Sequence, residues 1–203
     1  MTNRISMIQW TTFTALGLAT GLVGGVLLGM PLGQIVNAMI VTAAVTCVAG
    51  AVLGGFQAIS LRGVLRRPLW WIVATVIGFG AGLAIAVVVV EQSGILITGH
   101  RPQLAHLTTT IRAISFVVLG LIAGAILGVA QSLVLRRQLP EVKHWISATA
   151  IALAIALSAS SLAVDLSGMH LATAMGAAVF VVLSGIAFGA LTGAPLRRAS
   201  GAF

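Results

Sequence analysis

The stretch Gly124-Ala-Ile-Leu-Gly128-Val-Ala-Gln131-Ser-Leu-Val-Leu135-Arg136-Arg137 decides how this chain is read. Gly124, Gly128, Gln131 and Leu135 step by four, three and four, so they share one face of a helix. A small-residue stripe, one amide and a basic stop describe the cytoplasmic end of a membrane-spanning helix. Gly-x3-Gly faces of this kind let backbones approach closely in lipid. The pattern occurs twice more: Gly50, Gly54, Gln57, Leu61 and Arg62 stand 74 positions earlier, and Gly185, Gly189, Thr192, Leu196 and Arg197 stand 61 positions later.

A second pattern follows the first. Trp71-x3-Thr75-x2-Gly78-x3-Gly82 recurs as Trp10-x3-Thr14-x2-Gly17-x3-Gly21 and as Trp145-x3-Thr149-x2-Ala152-x3-Ala156. Shifting residues 50–91 by 74 lands on residues 124–165 without a gap, and 15 of those 42 positions are identical. Random apolar sequence would not hold Trp, Thr, Gln and Arg in phase, so the repeat is real and the chain is built from three copies of one unit.

Composition sets the environment. Of 203 residues, 59% are hydrophobic and 7% charged, against about 25% charged in soluble domains. Asp, Glu, Lys, Arg and His are absent from 11–61, 68–90, 113–135 and 145–164, and His170 alone interrupts 166–196. Runs of about 18 or more apolar residues predict membrane spans, because a ~30 Å hydrocarbon core takes ~20 helical residues. The expected fold is therefore all-α and polytopic, with six transmembrane helices over about 10–30, 35–61, 69–90, 113–135, 145–164 and 171–196. They pair as hairpins over about 9–62, 70–136 and 144–198. Pro31 to Gln34 reads as a tight turn, and Glu91 to Arg112 as the longest polar loop. The polar start before Trp10 could belong to a cleaved signal peptide. The length of the first run and its match to two later helices favour a retained helix.

Orientation follows from the basic residues. Arg4, Arg62, Arg66, Arg67, Arg136, Arg137, Lys143, Arg197 and Arg198 fall on one side, and Arg101 and Arg112 on the other. The positive-inside rule puts the richer side, and both termini, in the cytoplasm. All four tryptophans then lie at the cytoplasmic ends of odd-numbered helices, where amphipathic rings suit the headgroup level. A repeat with an even number of spans keeps one orientation. The three hairpins should thus be related by a pseudo-threefold axis along the membrane normal. The formal charge of +8 is no sign of nucleic acid, because it sits in short loops beside apolar runs.

The repeated G-x3-G-x2-Q-x3-L-R, followed by W-x3-T, resembles a group of bacterial multi-pass membrane proteins and covers most of the chain. The first copy lacks a preceding motif, and the third has Thr192 in place of glutamine. The resemblance implies a bacterial inner-membrane location and no particular activity.

Candidate residues follow from the same motifs. Gly50, Gly54, Gly124, Gly128, Gly185 and Gly189 read as helix-packing positions. Gln57, Gln131 and Thr192 lie one turn inside their arginines, at a depth similar to Thr14, Thr75 and Thr149. Interhelical bonds among them would steer packing, with Thr75 or Thr149 expected as the partner of Gln131. The sharper alternative is a polar ring forming a pore or carrier site for a small neutral solute. Arg62, Arg66, Arg67, Arg136, Arg137, Lys143, Arg197 and Arg198 face the anionic inner leaflet, as topology signals or as docking points for lipid headgroups or partner subunits. Pigment or haem ligation could only fall to His170 or His144; His100-x5-His106 is no recognised zinc pattern. Cys47 is a lone cysteine, so no intrachain disulfide can form. No span carries a central ionisable group, which argues against proton coupling. No nucleophile–base pair or phosphate loop is placed for catalysis. The expected class is a non-catalytic accessory or scaffolding membrane protein, with the pore as the competing reading.

Overall fold

The computed structural model describes residues 6–32, 38–63, 65–98, 109–136, 144–166 and 185–193. All its regular elements are helices: α1 (Met7–Leu32), α2 (Ala38–Ser60), α3 (Pro68–Thr98), α4 (Thr109–Leu135), α5 (Trp145–Leu166) and α6 (185–193). Among the described residues three stretches are long and apolar enough to cross a bilayer: Ala43–Ser60, Pro68–Val89 and Ala113–Leu135. About a third of each is buried inside the protein. The rest of their surface is apolar and open, as at Ile77, Ile85 and Val88 on α3 and Ile114 and Leu121 on α4. A helix with an apolar outside and a packed inside is what lipid requires, since backbone groups must be satisfied within the helix.

Hydroxyl side chains obey the same constraint. Thr20, Ser60, Ser115 and Ser158 each donate to the carbonyl four residues back. Pro68 opens α3 at a position whose missing N–H costs nothing, and the Trp70 N–H closes that turn on the Arg67 carbonyl.

Two boundaries differ from the sequence expectation. α3 runs through Glu91 to Thr98, and α4 begins at Thr109, so the polar stretch is partly helical. A single carboxylate marks polarity and not a helix end; Glu91, Gln92 and Ser93 all tolerate helix, and the apolar residues 95–97 continue it. Likewise α1 carries Pro31 in its last turn. The rest of the expected turn at 31–34, most of the expected sixth helix and the loop residues 99–108 lie outside the described residues.

Sequence neighbours α1 to α5 pack in order, and glycines set the registers. A Cβ built on Gly17 would lie 3.0 Å from Leu53 Cα, and one on Gly21 2.8 Å from the Ala49 carbonyl oxygen. On α3 the aligned pair repeats: Gly78 would meet Leu127 Cα at 3.0 Å and Gly82 the Ala123 oxygen at 2.7 Å. Both registers are antiparallel. Between hairpins, Gly50 and Gly54 on α2 face Val76 and Ile72, and Gly124 and Gly128 on α4 face Ala150 and Ile146. On α6, Gly185 and Gly189 face Ala15 and Thr11, with Cβ positions 2.6 and 2.7 Å from those Cα atoms. α6 therefore packs against α1, far from it in sequence.

The buried side chains form layers. One cluster contains Ala49, Phe79, Leu119, Ala123, Leu127, Leu153 and Phe188. A second, at the tryptophan ends of the helices, contains Trp10, Ala58, Leu61, Leu65, Trp71, Leu135 and Trp145. Leu127, Gln131 and Leu135 are successive turns of α4, so a polar level separates the two.

Candidate functional site

The polar level is built from Thr14, Gln57, Thr75, Gln131, Thr149 and Thr192, each 0% exposed. Each odd-numbered helix presents its Thr one turn in from its Trp. Gln57 and Gln131 come from α2 and α4, and Thr192 from α6. The glycine stripes next to them hold the helices close enough for these short side chains to meet. On Gly54, for example, a Cβ would lie 3.0 Å from Thr75 Cβ.

Gln131 is the hub. Its Nε2 donates to Thr75 Oγ1 at 3.1 Å and to Gln57 Oε1 at 3.3 Å, and its Oε1 accepts from Trp145 Nε1 at 3.1 Å. Of the two threonines expected as its partner, Thr75 is the one bonded. Thr75 in turn donates to the Trp71 carbonyl at 2.9 Å, and Thr149 to the Trp145 carbonyl at 2.8 Å. At the α6–α1 seam Trp10 Nε1 donates to Thr192 Oγ1 at 3.1 Å, while Thr192 donates to the Phe188 carbonyl at 2.8 Å. Among the described residues three buried atoms have no partner: Thr14 Oγ1, Gln57 Nε2 and Trp71 Nε1.

The level is capped on one side by three indoles. Trp10, Trp71 and Trp145 lie with ring centroids 6.5, 6.0 and 5.9 Å apart and interplanar angles of 72°, 64° and 66°. Edge-to-face contacts of this kind add about 0.5–1.5 kcal/mol each beyond burial. Leu61, Leu65 and Leu135, each at most 5% exposed, pack around them.

This corrects the headgroup role expected of all four tryptophans. Trp70 is exposed, as an interfacial ring would be, but Trp10, Trp71 and Trp145 are turned inward. Trp71 shares a helix face with Thr75, Gly78 and Gly82, the face that packs; Trp70 lies 100° away. Sequence reasoning missed Trp10 and Trp145 as hydrogen-bond donors. Spacing alone would not have found them: Trp71 follows Gln57 by the same 14 residues as Trp145 follows Gln131, yet its Nε1 has no partner.

Among the basic residues, Arg62, Arg66, Arg67 and Arg136 are exposed beside the ends of α2, α3 and α4 that carry the tryptophan layer. Arg137, Lys143, Arg197 and Arg198 lie outside the described residues, as do His100, His106 and His170. His144 is exposed in the turn that starts α5, where its carbonyl accepts from Ser147 and Ala148. Among the described residues no group of three His, Cys, Asp or Glu could hold a metal ion. Compared with known proteins, the chain matches no family model, no curated protein and no solved structure.

Proposed function

We propose that the chain is a non-catalytic integral membrane protein of six spans, an accessory or scaffolding subunit that packs against other membrane components. Its three hairpins are related by a pseudo-threefold axis along the membrane normal. It resides in a bacterial inner membrane with both termini cytoplasmic. Support for the symmetry comes from the glycine registers. Gly50 on Val76, Gly124 on Ala150 and Gly185 on Ala15 are the same pair in the three copies. The near-equal triangle of indoles lies where that axis would run.

The observation that carries the functional reading is the dry polar level. A pore needs its polar ring on a wet axis. Here Gln57, Gln131 and Thr192 are 0% exposed, and Gln131 and Thr192 bond to neighbouring helices. Indoles in mutual contact block the inner side. In such a bundle the polar groups fix register between helices, and the apolar outer faces remain for lipid and partner subunits.

Solute flux tests this. Purified protein in liposomes should pass urea and glycerol no faster than protein-free liposomes. Flux above that leak, abolished by Gln131→Leu in a variant that melts like the parent, would replace the scaffold with the passive pore.

A further inference from the structure

A groove of about 510 Å³ runs along the outer seam of α2 and α3, lined by Val52, Gly55, Phe56, Ile59, Ile72 and, at its inner end, Arg62. This is within the ~300–1,000 Å³ of small-molecule sites. We propose that it holds one acyl chain of an anionic phospholipid from the inner leaflet, with the phosphate on the Arg62 guanidinium.

Three observations support this occupant. The first is the missing side chain at Gly55. Gly50 and Gly54 lack side chains to admit α3, since a Cβ on either would lie 3.0 Å from that helix. A Cβ on Gly55 meets nothing within 4 Å. Packing therefore gives no reason for glycine there, whereas an open groove does. The aligned residue in the next copy is Val129, an exposed valine, so the opening belongs to α2–α3 by sequence. The second is charge. Arg62 lines the groove's end, Arg62, Arg66 and Arg67 are all exposed, and residues 1–90 contain no Asp or Glu. An arginine fork matches phosphate geometry where a lone ammonium supplies only a point charge. The third is depth. Exposed Trp70 stands beside Pro68 at the groove's inner end, as an indole at the headgroup boundary does.

The inference rests on the membrane reading, with loop 61–67 at the inner surface. Labelling a cysteine placed at Gly63 from either side tests that placement separately, so the two can fail apart.

The decisive experiment is native mass spectrometry of the full chain in mild detergent, titrated with phosphatidylglycerol or phosphatidylcholine. The wild type should retain one phosphatidylglycerol in preference to phosphatidylcholine. Arg62→Gln should lower that affinity about five-fold, the worth of one interfacial arginine, while Arg136→Gln leaves it unchanged. Gly55→Leu should abolish retention of the single lipid with no loss of melting temperature. Ile59→Trp fills the same groove from its rim and should act alike if Gly55→Leu expresses poorly. Undiminished retention in the groove-filled variants would overturn the proposal. So would equal losses from Arg62→Gln and Arg136→Gln, which would indicate a diffuse basic belt, or a wild type that does not distinguish the two lipids.

Discussion

Gln131 and Gln57 occupy aligned positions in two copies of one motif, yet they end with different partners. Gln131 bonds a threonine of its own hairpin through nitrogen and the tryptophan of the next through oxygen. Gln57 gives its oxygen to Gln131. Its own nitrogen, and the aligned Thr14 and Trp71, are left unpaired and shut off from solvent. One direct amide–amide bond is made between the two glutamines, and beside it three groups go without a partner. In the third copy Thr192 stands in the glutamine's place and accepts from Trp10 Nε1.

The largest expected effect lies beneath both amides. Gly124→Leu forces a side chain into backbone: its Cβ would sit 2.6 Å from Ala150 Cα and from the Thr149 oxygen. We expect a loss of about 3 kcal/mol, at the upper end of overpacking costs, read as a collapse of the thermal melt in detergent. A Gly124→Leu variant that melts like the parent would remove close packing from the account.

The two glutamines should then separate. Gln131→Leu leaves Trp145 Nε1 without its acceptor and should cost about 1–2 kcal/mol, because the unfolded chain in a membrane also finds partners. Gln57→Leu removes an unpaired amide nitrogen and a 3.3 Å acceptor of Gln131, whose Nε2 keeps Thr75, and should cost about 0.5 kcal/mol or less. Equal losses in denaturant titrations would erase the asymmetry.

A smaller difference is expected between the indoles. Trp145→Phe and Trp71→Phe remove similar apolar area from the same triangle, but only the first breaks a hydrogen bond. Trp145→Phe should be the worse of the two by about 1 kcal/mol in the same titrations. The reverse order would mean that Trp71 holds the acceptor.

The helical class was legible in the sequence because long uncharged runs admit little else in lipid. The stripe from Gly124 to Leu135 was legible because spacing alone puts those residues on one face. The reach of α3 past Glu91 was not, since one carboxylate followed by helix-tolerant residues looks like a loop. Nor was the inward turn of Trp10, Trp71 and Trp145: a tryptophan at a helix end suits the headgroup belt or the interior equally, and only its phase against Thr75 and Gly78 distinguishes them. The identity of the Gln131 partner needed the third dimension, because Thr75 and Thr149 lie at one depth and only geometry selects between them.

The account stands on a polar level that water does not reach. Thr192→Cys tests it most directly, since sulfur replaces a hydroxyl of similar size at a position 0% exposed. The background should carry Cys47→Ser, because Cys47 is exposed. In sealed vesicles a water-soluble thiol reagent, applied to either side, should leave Cys at position 192 unmodified until the protein is denatured. Rapid labelling of the native protein from one side would mean a wet axis, and would contradict the dry bundle proposed above.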